Sequence, residues 1–483
     1  MNRQNFFGHL ALALTLVALA AFAGQVRRWR NYEMNNSQSS SKLGGRGGDM
    51  RLRDDYKAKP RAKAEVIVRF RQSTPLSRIR EIAASLNDRF EDKFENVGNM
   101  AVIEDEDGSD AQTVANQYSA LDEVLSAEPN AEISLEPDIR MRAPSSSAPG
   151  YPDAVLPFKS SNDPKLTEQW SLNNEGQRGG TNKADIRAFS AWARTTGSDR
   201  VVVAVIDSGV DYTHSDLVNN IWVRPAKIAP YTDDELGTID DVHGYNAVDN
   251  SGDPMDDNGH GTHCAGIIGA EGDNNEGIAG INWQVEIMPL KFIASNGSGT
   301  TKDAIEAINY VIDRKRAGVN VRIISASWGS TAKSSALGEA IKRAGDEGIL
   351  FIAASGNSSA DSDKMPHFPA GYDLPNVISV AALDRSDRLA SFSNYGAKSV
   401  HIAAPGVEIL STWLGNQYEE HSGTSMATPE VAGVAALVLS LEPKLSVAQL
   451  RERLLSSVDK LETLKGKVST GGRLNAARAV GAE

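Results

Sequence analysis

The sequence predicts an α/β protein: a parallel sheet with helices on both faces, preceded by a small ferredoxin-like α+β domain. Three observations carry this. Residues 201–206, VVVAVI, are an unbroken and mostly β-branched run, the mark of a central parallel strand buried on both faces. Such runs recur at 322–326 and 349–354 and alternate with amphipathic helical stretches, which implies a doubly covered parallel sheet. Ahead of them, residues 62–138 read as β-α-β-α-β.

In the small unit, residues 65–71 alternate, with Val66, Val68 and Phe70 on one face. Thr74 and Pro75 then open a helix carrying Leu76, Ile79, Ile82, Ala83 and Leu86 at helical spacing. A strand is expected at 100–104. A helix follows from 111 to 124, capped by Ser109 or Asp110. Pro129 stops it, and residues 131–136 form the last strand. In the large unit, residues 301–316 place Ala304, Ile305, Ile308, Val311 and Ile312 on one face, with Gly318 closing the helix.

Composition narrows the function. The 483 residues are 40% apolar and 23% charged, with a net charge of −13. A general nucleic-acid binder would be basic. The single cysteine, Cys264, excludes an intramolecular disulfide and a Cys-based zinc site. Charge is segregated: 16 Lys/Arg against 6 Asp/Glu over 1–87, 2 against 15 over 88–138, and 32 against 42 from 139 onward. Separate parts have separate jobs.

Residues 1–24 read as a signal peptide or signal anchor. Residues 6–24 are almost wholly apolar behind Arg3 and end in Ala21-Phe22-Ala23, and about 19 residues also suffice to span a bilayer. Residues 25–61 read as a flexible basic linker, and 139–161, rich in Pro, Ser and Ala, as a second linker.

Three short segments carry chemistry. Asp207-Ser208-Gly209 ends the central strand, where ligands of such sheets sit. Asn258-Gly259-His260-Gly261-Thr262-His263 leaves the His260 ring sterically open. Zinc is disfavoured there, because no HExxH pattern occurs, and His263 is expected to bond backbone. Gly423-Thr424-Ser425-Met426-Ala427-Thr428-Pro429 puts a serine where a helix begins, so its own N–H is an orphan donor. Singly these are a turn acid, an exposed histidine and an N-cap. Together they supply a weak nucleophile, a base and a group to orient the base. Ala353-Ala354-Ser355-Gly356-Asn357 adds an amide side chain able to donate to an oxyanion.

In this order the segments resemble those of the subtilisin-like serine proteases, over roughly 162–483. The resemblance implies that Asp207 orients His260, that His260 is general base and acid, and that Ser425 attacks the carbonyl, with Asn357 and the Ser425 N–H binding the oxyanion. It implies an inhibitory propeptide at 62–138, self-cleavage within 139–161, and a peptidase domain at 162–483. Ser327, Trp328 and Gly329 would pair with an extended substrate, with Trp328 at the cleft rim and Ala354, Ser355 and Gly356 as the opposite wall. No carboxylate stands out in these two segments, so strict basic specificity is not expected. The family also implies structural calcium, for which Gln169, Asp216 and Asn274 are the best matches; no organic cofactor is implied. Asp249, Asp253, Asp256 and Asp257 read as a solvated acidic loop. The 222–242 insert is expected to shape the rim, and Glu430 to sit in a first helical turn.

The implied function is an exported serine endopeptidase made as a zymogen: secreted, periplasmic or anchored through residues 6–24, and acting on polypeptides. A narrow processing protease or transpeptidase, or an inactive binding scaffold, is the alternative.

Overall fold

The computed structural model describes residues 63–136 and 160–483. The expected leader, the basic linker and nearly all of the second linker lie outside them. Residues 62–483 form one compact unit.

The small domain begins with strand Glu65–Phe70 and helix Leu76–Ser85. It continues through strands Asp88–Phe94 and Met100–Asp105, helix Ala111–Ser119 and strand Val124–Pro129. Its four strands lie in the order second, third, first, fourth, all antiparallel, the ferredoxin-like arrangement. Two expectations differ. Strand Asp88–Phe94 is hidden by its charge, since DRFEDKF offers few apolar positions to read. The second helix stops five residues early, and residues 124–129 form the fourth strand. The segment expected as the last strand, Glu132–Ser134, pairs instead with Ser298–Thr300 of the large domain.

One face of the small sheet packs on its own helices through Val66, Val68, Phe70, Ile79, Val114 and Tyr118. Its other face, with Ile67, Phe94, Met100 and Val102, joins the core of the large domain beside Ile305 and Ile308. The two domains therefore share apolar burial worth roughly 1.5–3 kcal/mol per large side chain. Polar contacts fix the register. The Glu128 carboxylate accepts from the backbone N–H of Ser335 at 2.8 Å and of Ala336 at 3.2 Å, capping helix Ser335–Asp346 where a negative charge suits the dipole. Arg69 pairs with Glu339 at 3.3 Å.

The large domain is built on a nine-stranded sheet. Its parallel core runs Ile402–Pro405, Val377–Leu383, Leu350–Ala354, Val321–Ala326, Gly197–Asp207 and Gln284–Lys291. Helix Thr301–Arg316 carries a capping box between Thr300 and Asp303. Helix Thr424–Leu441 is the one described helix long and apolar enough to cross a membrane, but 83% of it is buried against this sheet.

The 222–242 insert does not shape the cleft rim. It carries the hairpin Tyr231–Asp233 and Gly237–Ile239 and faces the small domain. There Asp234 N–H donates to Glu95 and Arg80 pairs with Glu235. Asp92, Asp233 and Glu235 bring carboxylate oxygens within 4.8 Å of one another at this junction.

Candidate active site

Asp207 ends its strand fully buried. Its Oδ1 accepts the Ser208 N–H at 2.7 Å and meets His260 Nδ1 at 2.8 Å. His260 is the first residue of helix His260–Gly269. That closeness needs Gly261, where a Cβ would stand 2.0 Å from the Gly209 carbonyl oxygen. His263, one turn on, is buried and directs Nε2 at the carbonyls of Ile409 and Glu419. Burial holds it well below the ordinary histidine range, so it is structural, as its sequence context suggests.

Asp256 is a correction to the sequence reading, which puts it in a solvated loop. It is buried. One oxygen accepts from Ser208 Oγ and from the N–H groups of Asn258 and Gly259; the other accepts from Thr262 N and Oγ1. It thereby ties the strand end bearing Asp207 to the helix start bearing His260. An acid just ahead of Asn and Gly at a helix start is a capping signal, and that signal is present in the sequence.

Ser425 is the second residue of helix Thr424–Leu441. Its hydroxyl donates to the Ser327 carbonyl at 3.0 Å. Pro429, four residues on, has no N–H for the Ser425 carbonyl, so that oxygen accepts from Ser327 Oγ at 2.8 Å and from Cys264 Sγ at 3.6 Å. Burial pushes the Cys264 thiol well up, which makes it an inert partner rather than a thiolate. Asn357 Oδ1 accepts from Thr424 N and Oγ1, both at 2.9 Å. This locks the amide with its NH2 end beside Gly423. His260, Asn357 and Ser425 line one cavity of about 410 Å³.

None of the six expected wall residues lines this cavity itself, which the second segment meets only at the adjoining Asn357. Trp328 is not at the rim: it is 2% exposed, and its indole N–H donates to the Ile206 carbonyl at 2.7 Å. A large ring beside a buried strand carbonyl satisfies both by turning inward. The Ser355 side chain likewise turns away, toward the Asn394 carbonyl at 3.3 Å. Gly329 pairs with Ser134, the Gly356 N–H donates to Thr424 Oγ1 at 3.2 Å, and Ala354 ends its strand buried.

The cleft holds the chain's own segment. Ser134 pairs with both Ser298 and Gly329, and Leu135 N–H donates to the Gly297 carbonyl at 2.8 Å. Leu135 and Glu136 then line the cavity of Ser425.

Gln169, Asp216 and Asn274 converge on one loop. Gln169 Oε1 accepts the Ala279 N–H, and Asp216 accepts from Asn274 Nδ2, Ile278 N and Tyr418 Oη. Burial pushes Asp216 up to about 6. One carboxylate with neutral amide oxygens is a calcium-type donor set. Asp216, with Asn274 turned over and Gln169, would hold such a cation.

Glu430 lies past the first turn and is fully buried. Neither carboxylate oxygen has a hydrogen-bond partner among the described residues, and burial pushes the group up to about 8 against a smaller opposing effect of Ser171.

The chain is similar to known proteins. The subtilase family profile matches residues 198–481, and the fervidolysin N-terminal prodomain profile matches residues 57–130. The chain is 40% identical to the thermophilic serine proteinase of Bacillus sp. (strain AK1) over 290 residues, 60% of this chain and 64% of that protein. It is 37% identical to subtilisin-like protease 1 of Plasmodium vivax over 58% of this chain and 46% of the relative. These matches thus span less than two thirds of both relatives. Thermitase of Thermoactinomyces vulgaris is 36% identical over 295 residues, 61% of this chain and 93% of its own length. Among solved structures, a protease from Pseudoalteromonas arctica PAMC 21717 superposes with a TM-score of 0.55 at 27% identity, covering 67% of this chain and 99% of that one.

Proposed function

Since the chain belongs to the subtilase family and carries a prodomain, we propose that it is an exported serine endopeptidase made as a self-processing zymogen. The observation that carries this is the Asp207–His260 contact of 2.8 Å beside the cavity that Ser425 and Asn357 share.

In the mechanism, the Ser425 hydroxyl turns from the Ser327 carbonyl to His260 Nε2 and attacks the scissile carbonyl carbon. His260 takes the proton, and Asp207, hydrogen-bonded at Nδ1, holds the ring and stabilises its cation. The oxyanion meets the Asn357 NH2 and the Ser425 N–H, the latter unsatisfied because it starts a helix. His260 protonates the leaving amine. Water, activated by the same imidazole, then releases the acyl group.

The small domain acts as inhibitor and folding template, with residues 132–136 seated in the cleft as a substrate strand. The cut that frees it falls within 139–161. The apolar segment 6–24 directs export, as a cleaved leader or an anchor. Calcium at Gln169, Asp216 and Asn274 has a structural role: it ties the chain start of the large domain to the 273–278 loop and supplies no chemistry.

Intact mass of wild type and Ser425→Ala, with and without a fluorophosphonate, tests this. One adduct on Ser425 is expected, with loss of roughly the first 140–160 residues from the wild type alone. A full-length wild type that takes no adduct even after nicking would leave a binding scaffold.

A further inference from the structure

The tail shows what the cleft selects. Antiparallel pairing of residues 132–134 with 298–300, and of Ser134 with Gly329, fixes the tail in an extended conformation, and Glu136 follows into the cavity that holds Ser425. The Glu136 side chain is 19% exposed there. The backbone N–H of Asn357 lies near its carboxylate. Oε1 stands 3.7 Å from His367 Nε2, and Oε2 is buried without a donor.

His367 closes the floor between the two walls. A Cβ on Gly329 would lie 2.2 Å from His367 Nε2, and one on Gly356 would lie 3.1 Å from the same ring. Both walls therefore need glycine because the imidazole fills the space between them. The ring cannot retreat: Ser330 and Phe368 exchange backbone hydrogen bonds at 2.7 and 2.8 Å, and Gly371 N–H holds the His367 carbonyl at 2.7 Å. A slot floored by an imidazole is short for an aromatic side chain. It is also poor for a cation, because Glu136, which belongs to the tail, is the one carboxylate lining the cavity. A carboxylate there has the His367 imidazole 3.7 Å away and the Asn357 backbone N–H close by.

We propose that the primary specificity slot is acid-selective: His367 and the Asn357 backbone N–H receive a glutamate side chain on the acyl side of the scissile bond. This rests on Ser425 being the nucleophile. His367 is a specificity-determining residue, and Glu136 shows its ligand. Burial drives the imidazole down to about 4 and the carboxyl up. Near neutral pH the ring therefore acts as a neutral N–H donor with its proton on Nε2.

The bond after Glu136 leads to Pro137 and is not the processing cut, which falls within 139–161; Glu136 fills the slot as an uncut ligand, so free peptides are the proper substrates. Matured enzyme is assayed on tetrapeptide anilides that differ only in the last residue: Glu, Gln, Phe and Lys. Glu is expected to exceed Phe and Lys at least tenfold in kcat/KM. His367→Gly, which opens the floor, should lower Glu about tenfold and raise Phe. Preference for Phe or Lys in the wild type, or an unchanged Glu/Phe ratio in His367→Gly, would overturn the proposal. Failure of all four peptides together with no fluorophosphonate adduct would sink the peptidase reading instead. A second measurement is independent of turnover and of that variant's folding. In full-length Ser425→Ala, Glu136→Lys should speed hydrogen exchange at Ser134 and Leu135 about tenfold, whereas Glu136→Gln should change it less. Equal exchange in all three chains would overturn acid selection.

Discussion

The Ser327 hydroxyl donates to the Ser425 carbonyl at 2.8 Å, filling the place of the N–H that Pro429 lacks. The proline thus frees an acceptor in the first turn, and Ser327 uses it to hold the helix start that carries Ser425. Ser327→Ala leaves that carbonyl with Cys264 Sγ alone. Loss of a buried partner costs about 1–3 kcal/mol. We expect kcat to fall about tenfold and KM to change little, read from steady-state kinetics on a good peptide substrate. Ser327→Thr, which keeps the hydroxyl, should recover part of the loss.

Asp256 acts on the other half of the site. It accepts five hydrogen bonds that join the Asp207 turn to the His260 helix. Asp256→Ala should cost on the order of 3 kcal/mol of stability, seen as a lower urea midpoint. Asp256→Asn keeps the shape but puts an NH2 where a donor points, so activity should drop more than stability does.

Much of this is legible in the sequence. The central strand, the helix at 301–316 and the segments bearing Asp207, His260, Ser425 and Asn357 can be read from apolar runs and local spacing, because each is a short-range signal. Asp88–Phe94 cannot, since Arg89 pairs with Glu104 of the neighbouring strand and Glu91 with Lys302 of the large domain rather than with an apolar core. Nor can the inward turn of Trp328, which depends on a carbonyl 122 residues away. His367 has no signal either: its position is set by two glycines that follow separate strands.

The junction of the domains should respond to pH. Glu95 of the small domain faces Asn309 and the Asp234 N–H, and burial beside Asp233 pushes it up to about 7. Asp92 from the same domain, Glu235 of the hairpin and Glu306 of helix Thr301–Arg316 are raised for the same reason, burial. The cations facing them are Lys302 and Arg80. On separation Glu95 returns toward its ordinary 4.5. The docked state therefore binds more protons, and docking is strongest below about pH 4.5 and weakens up to about 7. Activity released from the cleaved complex should appear about tenfold faster at pH 8 than at pH 5, after correction for the pH dependence of turnover. Glu95→Gln should flatten that difference, and an unchanged slope would refute the assignment.

Glu430 follows the same physics inside one domain. Buried near Ser171 and pushed up to about 8, it stays protonated while the unfolded chain ionises above 4.5. Its burial therefore costs little in acid and more as the pH rises toward about 8. Glu430→Gln should raise the urea midpoint at pH 8 by on the order of a few kcal/mol in stability, and much less at pH 5.

The tail strand at Glu132–Ser134 has three backbone pairings and an unbroken chain to the domain it blocks. While that chain is intact the tail occupies its groove at an effective concentration that no bulk solution matches, commonly millimolar or above for a short tether. One severed peptide bond turns the same contacts into an ordinary bimolecular equilibrium. Dilution then becomes the activator: a molecule that leaves a crowded compartment for an open volume loses its inhibitor by mass action alone, with no further cut and no change in either surface.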